Sequence, residues 1–205
     1  MIDVGAGTGI ASRQLRSRGA RVVAVEPDPG MATVLREASP DVALVRADGN
    51  ALPFAGSSVD LVTYAQSFHW TDPARSVPEA FRVTGPEGAL AVWWNMPDTA
   101  VSWVALREAR LRAACPGYAE QYAVLRGGLP ADIVRTTMTF PWQHRVPVES
   151  AVAEIGTRSH VARLSADGRA AVLAAERAAL WEEFPDGEAV VPYLTTLQLA
   201  RSTPP

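Results

Sequence analysis

The chain opens on MIDVGAGTGIASRQL, and this stretch narrows the fold more than anything that follows it. A short, mostly apolar strand runs straight into a turn with glycines at positions 5, 7 and 9. A helical pattern comes next, with Ile10 and Leu15 at helical spacing and Gly19 placed to end it. A strand delivered into a helix by a glycine turn is the unit from which parallel sheets with crossover helices are built. Glycines permit unusual φ and let the backbone approach a ligand closely, and the helix start offers free N–H groups. The same residues that set the architecture therefore offer a ligand site at the carboxyl end of the first strand.

The pattern then repeats. RVVAVE is a continuous apolar strand of the kind a buried parallel sheet requires. DPGMATVLREA is a helix started by Asp28, with Pro29 at its first position. VALVRAD is a third strand, and SVDLVTYAQS, after a loop carrying LPFAGSS, is a fourth. DPARSVPEAFRVTGPEG reads as a helix in which Pro78 is expected to force a kink or a restart. GALAVWWN is the fifth strand. The order predicts an α/β, doubly wound, Rossmann-like parallel sheet. Further on, VSWVALREARLRAAC is a helix with Val101, Val104, Ala105 and Leu111 on one face. RTTMTFPWQHRV is a strand, VESAVAEIGTRSH and DGRAAVLAAERAALWEEF are helices, and AVVPYLTTLQLAR is a final strand. The last two strands should extend one sheet edge, with one antiparallel member. Residues 1–205 read as a single domain, with a cofactor half over 1–95 and an acceptor-side half over 96–205.

Composition excludes several classes. At 205 residues and 48% hydrophobic the chain can bury a sizeable core. Its net charge is -3 and it has no Lys/Arg block, so neither nucleic acid nor an anionic membrane is an expected partner. No apolar run is long enough to span a bilayer and no signal peptide is recognisable, so a cytoplasmic location is expected. The single cysteine, Cys115, excludes an internal disulfide, fits a reducing compartment and reads as a small residue at a helix end. His69, His144 and His160 lack metal-ligand spacing, so no metal is expected. No nucleophile elbow with its Ser-His-Asp order is present, which argues against a hydrolase.

What the turn holds follows from charge. A dinucleotide fingerprint spaces its glycines G-x-G-x-x-G, whereas Gly5, Gly7 and Gly9 are spaced G-x-G-x-G. Asp3 lies two residues before the first glycine. A carboxylate there repels a pyrophosphate and attracts the ammonium of an amino acid. Glu26 ends the second strand, where an acid can accept from both hydroxyls of a ribose. Asp48 ends the third, where it can accept from an adenine amino group while the Gly49 N–H reaches the ring. Gln66 follows the fourth, at the same sheet edge. Ribose, adenine and an amino-acid cation together describe S-adenosylmethionine. Each residue also has a plainer reading. Asp3 could cap the first helix or its turn, Glu26 could be an ordinary strand-end acid, Asp48 could form a turn before Gly49 and Asn50, and Met31 could be core.

Taken in order, DVGAGTG, VVAVEPDPGM, ADGNALPFAGSSVDLVTYAQSFHW and GALAVWWN resemble the successive motifs of class I S-adenosylmethionine-dependent methyltransferases, and within them the small-molecule group called methyltransferase domain type 11. The resemblance is strong over residues 1 to 95 and loose beyond. It implies a seven-stranded sheet of order 3-2-1-4-5-7-6 with strand seven antiparallel. It also implies that Asp3 and the Gly5, Ala6, Gly7 and Gly9 loop take the methionine end, Glu26 the ribose and Asp48 the adenine, with Pro27 and Met31 walling the adenosine. Family members usually carry further residues before the first strand. The expectation is that a form with such a segment is more stable and binds cofactor more tightly.

Methyl transfer from a sulfonium is an in-line displacement that needs a base only when the acceptor must lose a proton. His69, just past the fourth strand, is the candidate base; its plainer reading is a structural hydrogen-bonding residue packed with Phe68 and Trp70. Trp70, Trp93 and Trp94 are candidates for an apolar wall around the acceptor, or for core. His160 lies in the region that faces the acceptor in the family. The expected reaction is transfer to O, N or C of a small molecule. A non-catalytic S-adenosylmethionine-binding protein and an NAD(P)-dependent oxidoreductase are the alternatives. Neither acceptor nor oligomeric state is legible.

Overall fold

The computed structural model describes residues 1–118 and 128–202. The elements run β1 (Ile2–Val4), α1 (Ile10–Ser17), β2 (Val23–Val25), α2 (Pro29–Ala38), β3 (Ala43–Val45), β4 (Leu61–Ala65), α3 (Pro73–Thr84), β5 (Ala89–Pro97), α4 (Ser102–Ala114), β6 (Arg135–Pro147), α5 (Val148–Thr157), α6 (Ser159–Ala162), α7 (Ala166–Glu183) and β7 (Glu188–Arg201). A 3-10 turn, Phe68–Trp70, follows β4.

The seven strands form one sheet in the order β3-β2-β1-β4-β5-β7-β6. β1 pairs in parallel with β2 (Asp3 beside Ala24) and with β4 (Asp3 beside Thr63), β2 with β3, and β4 with β5. β7 is antiparallel. Its direction shows in the bonds it makes: Arg201 donates to the Glu87 carbonyl, Thr195 to Asn95, and the Asp98 N–H to the Pro192 carbonyl, so one strand descends as the other ascends.

The chain divides into two compact units. The first holds residues 1–94, 128–138 and 196–202, and the second holds residues 95–118 and 139–195 among those described. In the first, Ile2, Val4, Ala24, Val25, Val62, Leu90 and Val92 are buried on the inner strands, as continuous apolar runs require. Asp28 caps α2 by accepting from the Met31 N–H, with Pro29 at the first helical position. Gly19 follows α1 at φ 89°, the left-handed conformation that ends a helix.

Pro78 does not interrupt α3, which runs through it. The residue lies on the exposed side of the helix, so the carbonyl deprived of its N–H partner faces water.

In the second unit, Leu111, Cys115, Tyr118, Val148, Val152, Ile155, Leu180 and Val191 form the core around α4, α5 and α7. Cys115 is the buried end of α4, as its position implies. The buried face of α4 differs from the apolar one expected. It is Val104, Arg107, Glu108 and Leu111, with Ala105 only half-buried. The spacing is that of a helix stripe, but two of its members are charged and joined by one hydrogen bond, from Arg107 Nε to Glu108 Oε1. The VESAVAEIGTRSH segment also splits, at Arg158, whose extended ψ of 132° separates α5 from α6.

Candidate functional site

The glycine turn is built as its sequence implies. Gly5, Gly7 and Gly9 have φ of 65°, 56° and 83°, all in the left-handed region. Two of the three are also crowded. A Cβ on Gly5 would lie 2.5 Å from that of Ser67, and one on Gly9 would lie 2.9 Å from Leu35 Cγ. The Gly5 and Ala6 N–H groups donate to the Val25 carbonyl, pinning the turn to the end of β2. Gly9 is the residue that precedes α1.

Glu26 closes the turn from the next strand. Its Oε2 accepts from the Gly7 N–H at 2.7 Å and its Oε1 from the Asp28 N–H at 2.9 Å, with the side chain almost wholly buried. The carboxylate thus joins the glycine turn to the start of α2. Each oxygen keeps acceptor capacity beyond these bonds, which is what two adjacent hydroxyls need. Pro27 and Met31 flank it on the surface; Met31 is 48% exposed and so is not core.

Asp3 lies in β1, two residues before the turn. It is fully buried, and accepts from Ser12 Oγ on α1 at 2.5 Å and from Thr63 Oγ1 on β4 at 3.1 Å. Burial raises its pKa, more than those two hydrogen bonds lower it. Neither Ser12 nor Thr63 stands out in sequence, because each meets Asp3 only through the packing of α1 and β4 against β1. Asp3 does not cap α1, whose N-cap Gly9 has no side-chain cap hydrogen bond; it bonds the Ser12 hydroxyl inside the helix instead.

Asp48 is exposed, and its Oδ1 accepts from both the backbone and the side-chain N–H of Asn50, each at 2.9 Å. That is the turn-forming reading, made on one oxygen only. Asn50 also accepts, through Oδ1, from the Asp72 N–H at 2.8 Å. It therefore fixes Asp48 and the segment after the 3-10 turn at once, a role visible only once the two loops are side by side. Between them Gly49 is buried, with room for no side chain: a Cβ would lie 2.8 Å from Val4 Cγ1.

Gln66 follows β4 at φ 60°, uncommon for a residue with a side chain, and donates its N–H to the Trp93 carbonyl. The outlier marks the carboxyl edge of the sheet as a place where the backbone is held under strain. Beyond it, Phe68 turns inward against Tyr64 and Trp94, with centroids at 5.3 and 6.5 Å. His69 is half-buried and lies 4.9 Å from the Trp70 ring. Its Nδ1 is shielded from solvent and has no hydrogen-bond partner among the described residues. Burial lowers its pKa, so the ring is neutral at pH 7. Among the described residues Nδ1 therefore makes no structural hydrogen bond, while the packing against Trp70 is present. Trp94 is core, Trp93 is half-buried and Trp70 is 79% exposed.

His160 is in the second unit, where it is buried edge-on to Tyr118 at 4.8 Å. His144 is paired on the surface with Glu154 at 3.0 Å. Among the described residues no cluster of His, Cys, Asp and Glu could hold a metal, and no helix is long and apolar enough to cross a membrane.

Comparison with known proteins places this geometry. The family model described as "Methyltransferase domain" matches residues 2–92. An uncharacterised methyltransferase of Mycobacterium bovis is 44% identical over 104 residues, covering 51% of this chain and 43% of that protein. A demethylmenaquinone methyltransferase of Renibacterium salmoninarum is 38% identical over 93 residues, covering 45% of this chain and 39% of that one. The matches thus span about two-fifths of these curated relatives' length. Among solved structures, a candidate type II methyltransferase from Anaeromyxobacter dehalogenans superposes with a TM-score of 0.73 at 26% identity, over 98% of this chain and 88% of that one. The family-model match covers residues 2–92, and with its sheet order and glycine turn the chain is similar to methyltransferases of this Rossmann-like fold.

Proposed function

We propose that the chain binds S-adenosylmethionine and transfers its methyl group to a small-molecule acceptor at O, N or C. The observation that carries this reading is the row of groups at the carboxyl ends of β1, β2 and β3: a left-handed glycine turn, a buried Glu26 joined to it, and an exposed Asp48 held by Asn50. The residues present suit the cofactor. The Gly5–Gly9 turn and Gln66 take the methionine end, Glu26 the ribose diol and Asp48 with Gly49 the adenine. Pro27 and Met31 lie along the adenosine. Asp3 contributes from below, by fixing α1 against β4 and by placing negative charge under the ammonium.

S-adenosylmethionine supplies a methyl group already activated on a sulfonium. The chain's task is then alignment and exclusion of water, worth roughly 7–11 kcal/mol where geometry is well set. His69, neutral and with an unengaged Nδ1, takes the acceptor's proton where one must leave. Trp70 and Trp93 wall the acceptor's apolar part, and His160 is assigned to the acceptor side. The acidic net charge favours a metabolite over nucleic acid or a membrane surface, and the lone buried Cys115 suits the cytoplasm.

Calorimetric titration with S-adenosylmethionine and S-adenosylhomocysteine, with NAD as control, tests this. Micromolar binding of both sulfur ligands, no binding of NAD, and about tenfold or greater weakening in Glu26→Ala and in Asp48→Ala are expected. A folded chain that binds none of them, or binds NAD as well, overturns the reading.

A further inference from the structure

Within the second unit, α4 buries a guanidinium whose hydrogen bonds are not all made. Arg107 is 2% exposed. Its Nε donates to Glu108 Oε1 at 3.1 Å, while its Nη2 is buried with no partner among the described residues. Glu108 has little left to offer it. That carboxylate also accepts from Arg158 Nη1 at 3.1 Å and from the Tyr118 hydroxyl. The Arg107 guanidinium lies over the Trp103 ring at 5.1 Å, and Trp103 meets Phe184 edge-on at 5.3 Å. Tyr193 stands close enough to Arg107 to act on its charge, and is itself stacked on Trp142 at 4.8 Å and 17°. A charged fork is thus set among flat apolar rings.

We propose that this cluster is an oxyanion site, in which Arg107 takes the carboxylate or phosphate of a small molecule whose apolar body lies against the neighbouring aromatic rings. The site lies wholly within the second unit. Three physical points support the site. A buried polar group that lacks a partner is costly, more so when charged, and is not kept by packing alone. A bound water would complete the hydrogen bond but not offset the charge, whereas an oxyanion does both, in the geometry a guanidinium is built to match. Burial and the charge of Arg158 both act against the protonated form of Arg107, so the cluster gains from a further negative charge. An apolar residue at 107 would give a simpler core, since replacing buried ionic groups by apolar ones is often neutral or stabilising.

The test compares the full chain with Arg107→Met, which keeps an unbranched side chain against Trp103, and Arg107→Lys, which keeps the charge without the fork. Exposed Arg145→Met is the control. The probes are benzoate, phenyl phosphate and neutral benzyl alcohol, read by thermal unfolding and calorimetry. The expected result is that one anion binds and raises the melting temperature of the parent chain, benzoate indicating a carboxylate and phenyl phosphate a phosphate. Benzyl alcohol should do neither. Arg107→Lys should bind the anion about tenfold more weakly, Arg107→Met should not bind it, and Arg145→Met should match the parent. Without ligand, Arg107→Met should melt no lower than the parent. No response to either anion in the parent, or equal binding by Arg107→Met, overturns the site; a variant that is merely destabilised beside an unresponsive parent shows a structural arginine instead. S-adenosylhomocysteine titrated into the same samples separates the two proposals. Its binding without an anion response removes only the oxyanion site, and an anion response without its binding removes only the cofactor reading.

Discussion

Gly5 and Gly7 share a left-handed φ but not a neighbourhood, and this separates two reasons for being glycine. Nothing lies within 4 Å of a Cβ built on Gly7, while one on Gly5 collides with Ser67. Gly7→Ala should therefore cost only the left-handed penalty, about 1–2 kcal/mol. Gly5→Ala should add an overpacking cost of roughly 1–3 kcal/mol. Urea unfolding of the two variants checks this, and equal losses would mean that Ser67 moves aside freely. The sequence announces the need for unusual φ at both positions but is silent on Ser67, which is distant in the chain. Asp48 shows a similar division. DGN is a legible turn, and the turn forms, yet the bond from the Asp72 N–H to Asn50 that ties it to the 3-10 turn comes from the fold alone.

At the scale of elements, α4 and α7 are joined by a pair that periodicity cannot show. Arg110 donates from Nε and Nη2 to the two oxygens of Glu176 at 2.8 and 3.0 Å. Glu176 is 1% exposed, while Arg110 is partly open to solvent. Removing the arginine strands a buried carboxylate. Arg110→Met is expected to cost about 2–3 kcal/mol, below the roughly 3–5 kcal/mol of a wholly buried pair because water can reach the site. Adding Glu176→Leu should restore most of that stability. Chemical denaturation of both variants measures it, and a double variant no more stable than the single one would show that the carboxylate was not the source of the loss. A helix written SWVALREARLRAA looks like an apolar stripe with solvated charges. Its buried face instead carries Arg107 and Glu108, and the further partners of Glu108, Arg158 and Tyr118, arrive from outside the helix.

Across the whole molecule, Asp3 links β1, α1 and β4 in one buried contact, so its ionisation bears on the stability of the fold. Its pKa in the native state lies above the unfolded value of about 3.9. Between the two values the native state holds more protons, so this contribution to stability is full below about pH 3.9 and is lost as pH rises through the native pKa. Asp3→Asn removes the dependence. The stability of the parent minus that of Asp3→Asn should fall as pH rises from about 4 and then level off. Urea unfolding at a series of pH values reads it, and a difference that does not change with pH would show an unshifted Asp3. Much of the architecture was legible in the sequence because strand, glycine turn and helix signals are local: the succession of β1 to β5 as a parallel sheet, the cap at Asp28 and the turn at Gly5 to Gly9 follow from neighbours in the chain, while the spatial strand order came from the family resemblance. Tertiary structure alone decided which side chains meet. It bonded the buried Asp3 to Ser12 and Thr63, carried α3 through Pro78, and buried a charged stripe on α4. Each of these depends on groups far apart in sequence or on which side of an element faces water, and residue spacing records neither.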